Sequence, residues 1–101
     1  MAPEPFAVNV NTGTIANTGT FQTGASANAI RKGALVINNS THTLEVAFAQ
    51  AGSASAAASI PLAPGLTLNT GQLVPNGVYQ GEIAINGTSE DAYCVLEFTR
   101  Q

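Results

Sequence analysis

Residues 34–48 read Ala-Leu-Val-Ile-Asn-Asn-Ser-Thr-His-Thr-Leu-Glu-Val-Ala-Phe, and this stretch decides the fold class. Large apolar residues occupy alternate positions on both sides of a polar turn, at 35 and 37 and then at 44, 46 and 48. Alternation with a period of two is typical of a β-strand that buries one face. The stretch therefore predicts a β-hairpin with one face in the core and the other in water.

Turn signals divide the chain downstream of this hairpin. Residues 50–59 are a tract of Ala, Ser and Gly, interpreted as a mobile loop, with a short helical turn as the alternative. Ala63-Pro64-Gly65 predicts a type II turn, because Pro presets φ and Gly accepts a positive φ. Pro75-Asn76-Gly77 predicts another turn, and Asn86-Gly87 is a hairpin signal.

The remaining alternating runs are 78–85 and Tyr93 to Thr99. About seven short strands, spaced near ten residues apart and without a helical apolar period, predict an all-β fold, an antiparallel β-sandwich or small β-barrel. The expected core consists of Leu35, Ile37, Leu44, Val46, Phe48, Ile60, Leu62, Leu66, Leu68, Tyr79, Ile83, Ile85, Cys94, Leu96 and Phe98. In the last strand Val95 and Glu97 are expected on the solvent face.

Residues 1–33 differ from the rest, because they consist mostly of Asn, Thr, Gly, Ala and Ser. The motif Asn11-Thr12-Gly13-Thr14 recurs at 17–20, as expected of turns between short extended pieces. We therefore expect an extended N-terminal arm, 1–33, followed by a β-sandwich domain, 34–101. The apolar and cationic residues of the arm are the candidate partner-binding residues: Phe6, Val8, Val10, Phe21, Arg31 and Lys32.

The composition narrows the function classes. The chain has 101 residues, of which only 9% are charged, and its net charge is −3. One domain is expected at this length, and without a basic patch neither nucleic acid nor an anionic membrane is an expected partner. No secretory signal or membrane span is recognised, so synthesis in a cytoplasm is expected. A surface of hydroxyls and amides costs little to bury, which favours a subunit of an assembly.

No catalytic constellation is visible, so we expect neither an enzyme nor a cofactor or metal site. Cys94 is predicted as a buried thiol and His42 as a surface residue without further ligands. Glu90 and Asp91 are interpreted as a solvated turn rather than a calcium site. A hydrolase pair of Glu82 and Glu97 is disfavoured, because that chemistry needs a cleft.

From Gly33 to Gln101 the chain resembles small virion proteins of tailed bacteriophages, in particular head decoration or cement proteins. The resemblance is carried by Ala34-Leu35-Val36-Ile37-Asn38-Asn39-Ser40, the tract before Ile60-Pro61-Leu62-Ala63-Pro64-Gly65, Val78-Tyr79 and Tyr93-Cys94-Val95-Leu96. It implies a non-enzymatic β-sandwich or barrel that binds the outside of the major capsid shell and stabilises it, often as a homotrimer with an N-terminal arm along the shell. Two alternatives stay open: a tail, neck or fibre component, and a carbohydrate-binding module.

Overall fold

A computed structural model describes residues 6–70 and 79–100. Within these residues the chain forms eight β-strands and two short 3₁₀ helices. The strands are β1 Phe6–Thr14, β2 Gln22–Ala25, β3 Arg31–Asn38, β4 Leu44–Ala47, β5 Ile60–Leu62, β6 Thr67–Asn69, β7 Ile83–Asn86 and β8 Ala92–Arg100. The 3₁₀ helices are Ala51–Ser53 and Ala56–Ala58.

The strands form two four-stranded sheets that pack face to face. The first sheet has the order β1-β8-β3-β6 and the second the order β2-β7-β4-β5. All of these pairings are antiparallel. Apolar side chains from the two inner faces form a common core, as in other sandwiches. The prediction of an all-β antiparallel sandwich is therefore confirmed.

Consecutive strands mostly lie in different sheets, which corrects the predicted hairpins. β3 belongs to the first sheet and β4 to the second, and β7 and β8 are divided in the same way. Residues 34–48 are therefore an arch between the sheets. The buried Asn38 holds this arch, because its Nδ2 donates to the carbonyl oxygens of His42 and Leu62, both at 2.8 Å. Its Oδ1 accepts hydrogen bonds from Ser40.

Residues 6–33 are part of the sandwich, so the prediction of a separate arm over 1–33 is wrong for them. β1 pairs with β8 along its whole length, from Phe6 opposite Arg100 to Thr14 opposite Ala92. Ile15, between β1 and β2, is only 1% exposed. Phe6, Val8 and Val10 alternate as in a short strand, but residues 11–14 of β1 are Asn, Thr, Gly and Thr and are held by the backbone ladder, which apolar patterning does not detect. The expected domain boundary at 33/34 falls inside β3, and residues 1–5 lie outside the described residues.

The loop predictions had mixed outcomes. Gly65 has a φ of 76° and the Leu66 N–H donates to the Ala63 carbonyl oxygen at 3.1 Å, as the predicted type II turn requires. Residues 50–59 contain both 3₁₀ helices, so the alternative of a short helical turn is correct. The predicted strand 78–85 is shorter, since only β7 is a strand there. The predicted turn at 75–77 lies outside the described residues.

The second sheet buries the residues that its alternation predicted. Leu44, Val46, Leu62, Ile83 and Ile85 are at most 5% exposed and belong to one core cluster. Phe48, Leu68 and Tyr79 pack against this cluster while partly buried. Two predictions for residues 60–70 are not met, because Ile60 is half-buried and Leu66 is 56% exposed. Alternation thus found the correct inner face of β4 and β7 but overestimated burial near the 63–66 turn.

The first sheet is turned the opposite way from its prediction. The buried core residues on its inner face are Ala34, Val36, Tyr93 and Val95. The expected core residues Leu35, Ile37, Leu96 and Phe98 alternate with them and are only half-buried. Both faces of β3 and β8 are apolar, so a period of two identifies the faces without saying which one is inside.

A buried ion pair explains this orientation. Arg31 is 0% exposed, and its Nη2 lies 2.6 Å from Glu97 Oε2, which also accepts from Arg31 Nε at 2.7 Å. Arg31 Nη1 donates to the backbone carbonyl oxygens of Tyr79 and Gly81, and Nη2 also donates to that of Ser26. Glu97 further accepts from Asn11 Nδ2 at 2.9 Å. A buried charge is tolerated when paired and hydrogen-bonded in this way, so Glu97 faces inward and its neighbours Leu96 and Phe98 face outward.

Candidate protein-binding surface

The side of the first sheet that faces away from the second sheet is termed the outer face of the first sheet. Antiparallel register places directly opposed residues on the same side of a sheet, so the strand pairings define its members. The term is used for ten described residues at the centre of this side: Val8, Val10, Thr12, Leu35, Ile37, Thr67, Asn69, Cys94, Leu96 and Phe98. Beyond them, at the ends of β1 and β8, the register places the pairs Phe6 with Arg100 and Thr14 with Ala92 on the same side. Six of these ten residues are large hydrophobic residues, which is unusual for a solvent-facing sheet surface.

The register brings the apolar residues into one continuous patch. Val8 lies opposite Phe98 and Val10 opposite Leu96, while Leu35 lies opposite Leu96 on the other flank of β8. The valines are the most accessible members, with Val8 51% and Val10 62% exposed. Contiguous exposed apolar surface on one face marks a protein-interaction site more often than scattered apolar residues do.

The ten residues of this face carry no charge. The described acidic side chains lie elsewhere: Glu45 is in β4, Glu82 just before β7, Glu90 and Asp91 in a loop, and Glu97 in the interior. Two cationic residues lie at the end of the sheet: Lys32 is exposed at an irregularity in β3, where the pairing with β8 shifts between Arg31 and Gly33, and Arg100 is the last residue of β8, opposite Phe6. Covering the ten residues therefore desolvates hydroxyl and amide groups at most, and no ionised group among them.

The outer face of the second sheet is covered by the chain itself. Ala47 and Ala84 lie opposite each other on it and are 1% and 0% exposed. Residues 48–59 form this cover, and two carboxylates hold it in place. The Ala51 N–H donates to Glu82 Oε2 at 2.7 Å, and Ser59 Oγ donates to Glu45 Oε2 at 3.3 Å. Val8 and Val10 on the first sheet have no comparable cover.

The predicted partner-binding residues do not form one site. Val8 and Val10 lie on the outer face of the first sheet, and Phe6 is the first residue of β1. Phe21 is half-buried just before β2, and Lys32 is exposed. Arg31 is a correction: its charge is committed to Glu97 inside the sandwich, so it does not reach a partner. Sequence reasoning missed Leu35, Ile37, Leu96 and Phe98 as surface residues, although the apolar character of both strand faces was the available signal.

Of the two loop carboxylates Glu90 and Asp91, Asp91 is held by structural hydrogen bonds. His42 Nδ1 lies 2.7 Å from Asp91 Oδ1, and the Thr88 N–H donates to Asp91 Oδ2 at 2.8 Å. The His42 side chain is 55% exposed, which confirms its predicted surface position. Asp91 is 5% exposed and not the solvated residue expected, whereas Glu90 is exposed. Among the described residues no three or more His, Cys, Asp or Glu side chains are grouped to hold a metal.

The other candidate groups are separated or buried. Glu97 lies between the sheets and Glu82 beside the second sheet, so the two carboxylates do not share a cleft. Cys94 is a buried free thiol, as predicted. Burial raises the pKa of the Tyr79 hydroxyl above its ordinary value of 10.0, against a smaller lowering by Arg31, and this hydroxyl donates to the Glu82 carbonyl oxygen.

Three further findings bear on the kind of site. Residues 6–70 and 79–100 enclose no pocket of small-molecule size. None of their helices is long and apolar enough to span a bilayer. The chain matches no protein-family model, no curated protein and no solved structure. The outer face of the first sheet is therefore the candidate functional surface with the clearest physical basis in the described residues.

Proposed function

We propose that the protein is a non-enzymatic structural subunit of a tailed-bacteriophage virion, a capsid decoration protein that binds the outside of the major capsid shell and stabilises it. The observation that carries the proposal is the uncharged, apolar outer face of the first sheet, with Val8 and Val10 more than half exposed. The resemblance of residues 33–101 to decoration proteins supplies the partner, the major capsid protein, and the location on the virion.

The low charge of the chain supports an assembly role. Removing apolar surface from water stabilises a complex by about 25 cal/mol per Å², and the ten central residues of the outer face add no cost of burying ions. A small face of this kind binds weakly by itself, and many copies on one shell make the total stabilisation large. The homotrimer implied by the resemblance stays a prediction, as does synthesis in the host cytoplasm.

The test places one charge on the outer face without touching its apolar residues. Thr67 is an exposed residue of that face, opposite Ile37 in β6, and Thr41 is an exposed loop residue. Thr67→Glu and the matched control Thr41→Glu are each mixed with expanded heads purified from phage that lacks this gene. We expect saturable co-sedimentation of the wild-type protein and the control, and binding about tenfold weaker for Thr67→Glu, because the new carboxylate is desolvated at the contact.

Other outcomes point elsewhere. If neither the wild-type protein nor the control binds heads, the decoration role is wrong. Electron microscopy of virions that carry a labelled copy would then distinguish the tail, neck or fibre alternative by position. Equal binding of Thr67→Glu and Thr41→Glu would retain the capsid as partner and reject the outer face as the contact.

A further inference from the structure

The free edge of β1 is the least protected strand edge in the described part of the sandwich. β1 has nine residues, contains no charged residue and no Pro, and keeps an unbroken register with β8. The other edge strands are β6 with three residues, β5 with Pro61 at its centre, and β2 with four residues and a register shift. Charges, Pro, bulges and shortness are the usual protections against edge pairing, and β1 has none of them.

The ladder shows which peptide groups of β1 point to this edge. The Ile15 N–H donates to the Asp91 carbonyl oxygen at 2.9 Å, one residue beyond the pair Thr14 and Ala92. Antiparallel pairs alternate between hydrogen-bonded and non-hydrogen-bonded, so the odd-numbered residues of β1 bond to β8. The even-numbered ones turn outward, and accordingly the Thr14 carbonyl oxygen accepts from the Gln22 side chain instead. The N–H and C=O groups of Val8 and Val10 therefore face the free edge.

We propose that two copies of this chain pair through β1, antiparallel across a two-fold axis, with Asn9 opposite Asn9 of the second copy. In this register Val8 lies opposite Val10 of the second copy, and their outward peptide groups meet in hydrogen-bonded pairs. The two most exposed apolar residues of the outer face thus gain the cross-strand β-branched neighbour that they lack in one chain.

A second copy is the occupant that the observations favour. A two-fold contact joins one surface to itself, so a charge at the centre of β1 would meet its own copy, and β1 contains no charged residue. The exposed Asn9 at the centre is a small polar residue that tolerates its own copy opposite. The paired first sheets form one eight-stranded sheet whose two outer faces are continuous. The two-fold dimer is proposed in place of the homotrimer that the resemblance implies, and it does not depend on a capsid role.

The decisive experiment introduces charge at the symmetry axis. Asn9→Asp and Asn9→Lys are compared with the wild-type protein by sedimentation equilibrium and native mass spectrometry. We expect a wild-type dimer, and for each variant alone a dissociation constant raised by about tenfold or more, because like charges lie directly opposite. An equimolar mixture of the two variants is expected to form the mixed dimer with roughly wild-type affinity. That rescue requires residue 9 to face residue 9.

A second measurement on the wild-type protein keeps the proposal testable if the variants do not fold. Amide hydrogen exchange is followed at two protein concentrations a hundredfold apart. The Val8 and Val10 amides are expected to become protected as the concentration rises, while the Asn9 and Asn11 amides, bonded to β8, stay protected at both. A monomeric wild-type protein at the higher concentration, a trimer, or concentration-independent exchange at Val8 and Val10 would each overturn the proposal.

Discussion

The outer faces of the two sheets contrast within one small sandwich. On the second sheet, Ala47 and Ala84 are almost completely buried under residues 48–59, which the carboxylates of Glu45 and Glu82 hold in place. On the first sheet, Val8 and Val10 are more than half exposed, and the ten residues at the centre of that face are uncharged. The chain covers the small side chains of the second sheet with its own residues 48–59 and leaves the larger side chains of the first sheet exposed. The exposure of the first sheet therefore does not arise because the chain lacks residues that could cover a sheet.

This difference is set inside the sandwich. The pair Arg31 and Glu97 faces the interior on the first sheet, and by strand alternation this turns Leu96 and Phe98 outward. No such group stands on the inner face of the second sheet, where Leu44, Val46, Ile83 and Ile85 pack against the core. In the first sheet, the inward ion pair and the outward apolar residues therefore both follow from which side of β8 faces the interior.

Breaking the ion pair is expected to have the largest effect. Glu97→Gln keeps the shape of the side chain but leaves the Arg31 charge buried without its partner, which costs about 3–5 kcal/mol of unfolding free energy. Urea denaturation measures the loss. The double variant Arg31→Met with Glu97→Leu removes both charges and is expected to lose much less. A loss under about 1 kcal/mol for Glu97→Gln would show that the pair does not determine the orientation of the first sheet.

A larger side chain is expected to change the stability of the protein differently on the two outer faces. Ala84→Leu inserts methylene groups under the cover of the second sheet and is expected to destabilise the protein by about 1–3 kcal/mol through overpacking. The same residue placed on the first sheet, Thr12→Leu, lies at an exposed position and is expected to change stability by less than about 0.5 kcal/mol. Thermal unfolding of both variants measures the difference, and equal losses would contradict the contrast between a covered and an open face.

A smaller effect is expected for Val10→Thr, which replaces an exposed apolar residue by a polar one of similar shape. The unfolding free energy of the single chain is expected to change by less than about 0.5 kcal/mol, because the Val10 side chain is largely exposed and does not pack in the core. The measurement is urea denaturation at a concentration low enough to keep the chain monomeric. A loss above about 1.5 kcal/mol would indicate that this valine is covered in the folded chain.

The smallest effect concerns Tyr79, whose ring packs edge-on against Phe48 where residues 48–59 begin. Burial raises the pKa of its hydroxyl in the folded state, so the folded protein holds this proton more tightly than the unfolded chain. The corresponding stability is complete below about pH 10 and falls as the pH rises from the unfolded towards the folded pKa. Melting temperatures measured against pH are expected to fall less steeply there for Tyr79→Phe than for the wild-type protein.

Local features of the fold were predictable from the sequence. Alternation placed β4 and β8 close to their observed positions and overlapped β7 but began it too early, and Pro64-Gly65 identified a turn whose backbone requires a positive φ. The candidate surface was predictable only in part: Val8 and Val10 were candidate contact residues, but Leu96 and Phe98 were assigned to the core. Both sides of β8 are apolar enough to be buried, so the pattern did not distinguish them.

By itself the sequence determined an all-β antiparallel fold of low charge, a sandwich or a small barrel, because a period of two and turn residues act over a few neighbouring positions. Tertiary structure alone decided that 34–48 is an arch, that residues 6–14 are a strand and not an arm, and that the first sheet turns its larger apolar residues outward. Each of these depends on a partner distant in sequence. Arg31 and Glu97 are 66 positions apart, and only the folded chain brings together the charges whose burial sets the direction of the sheet.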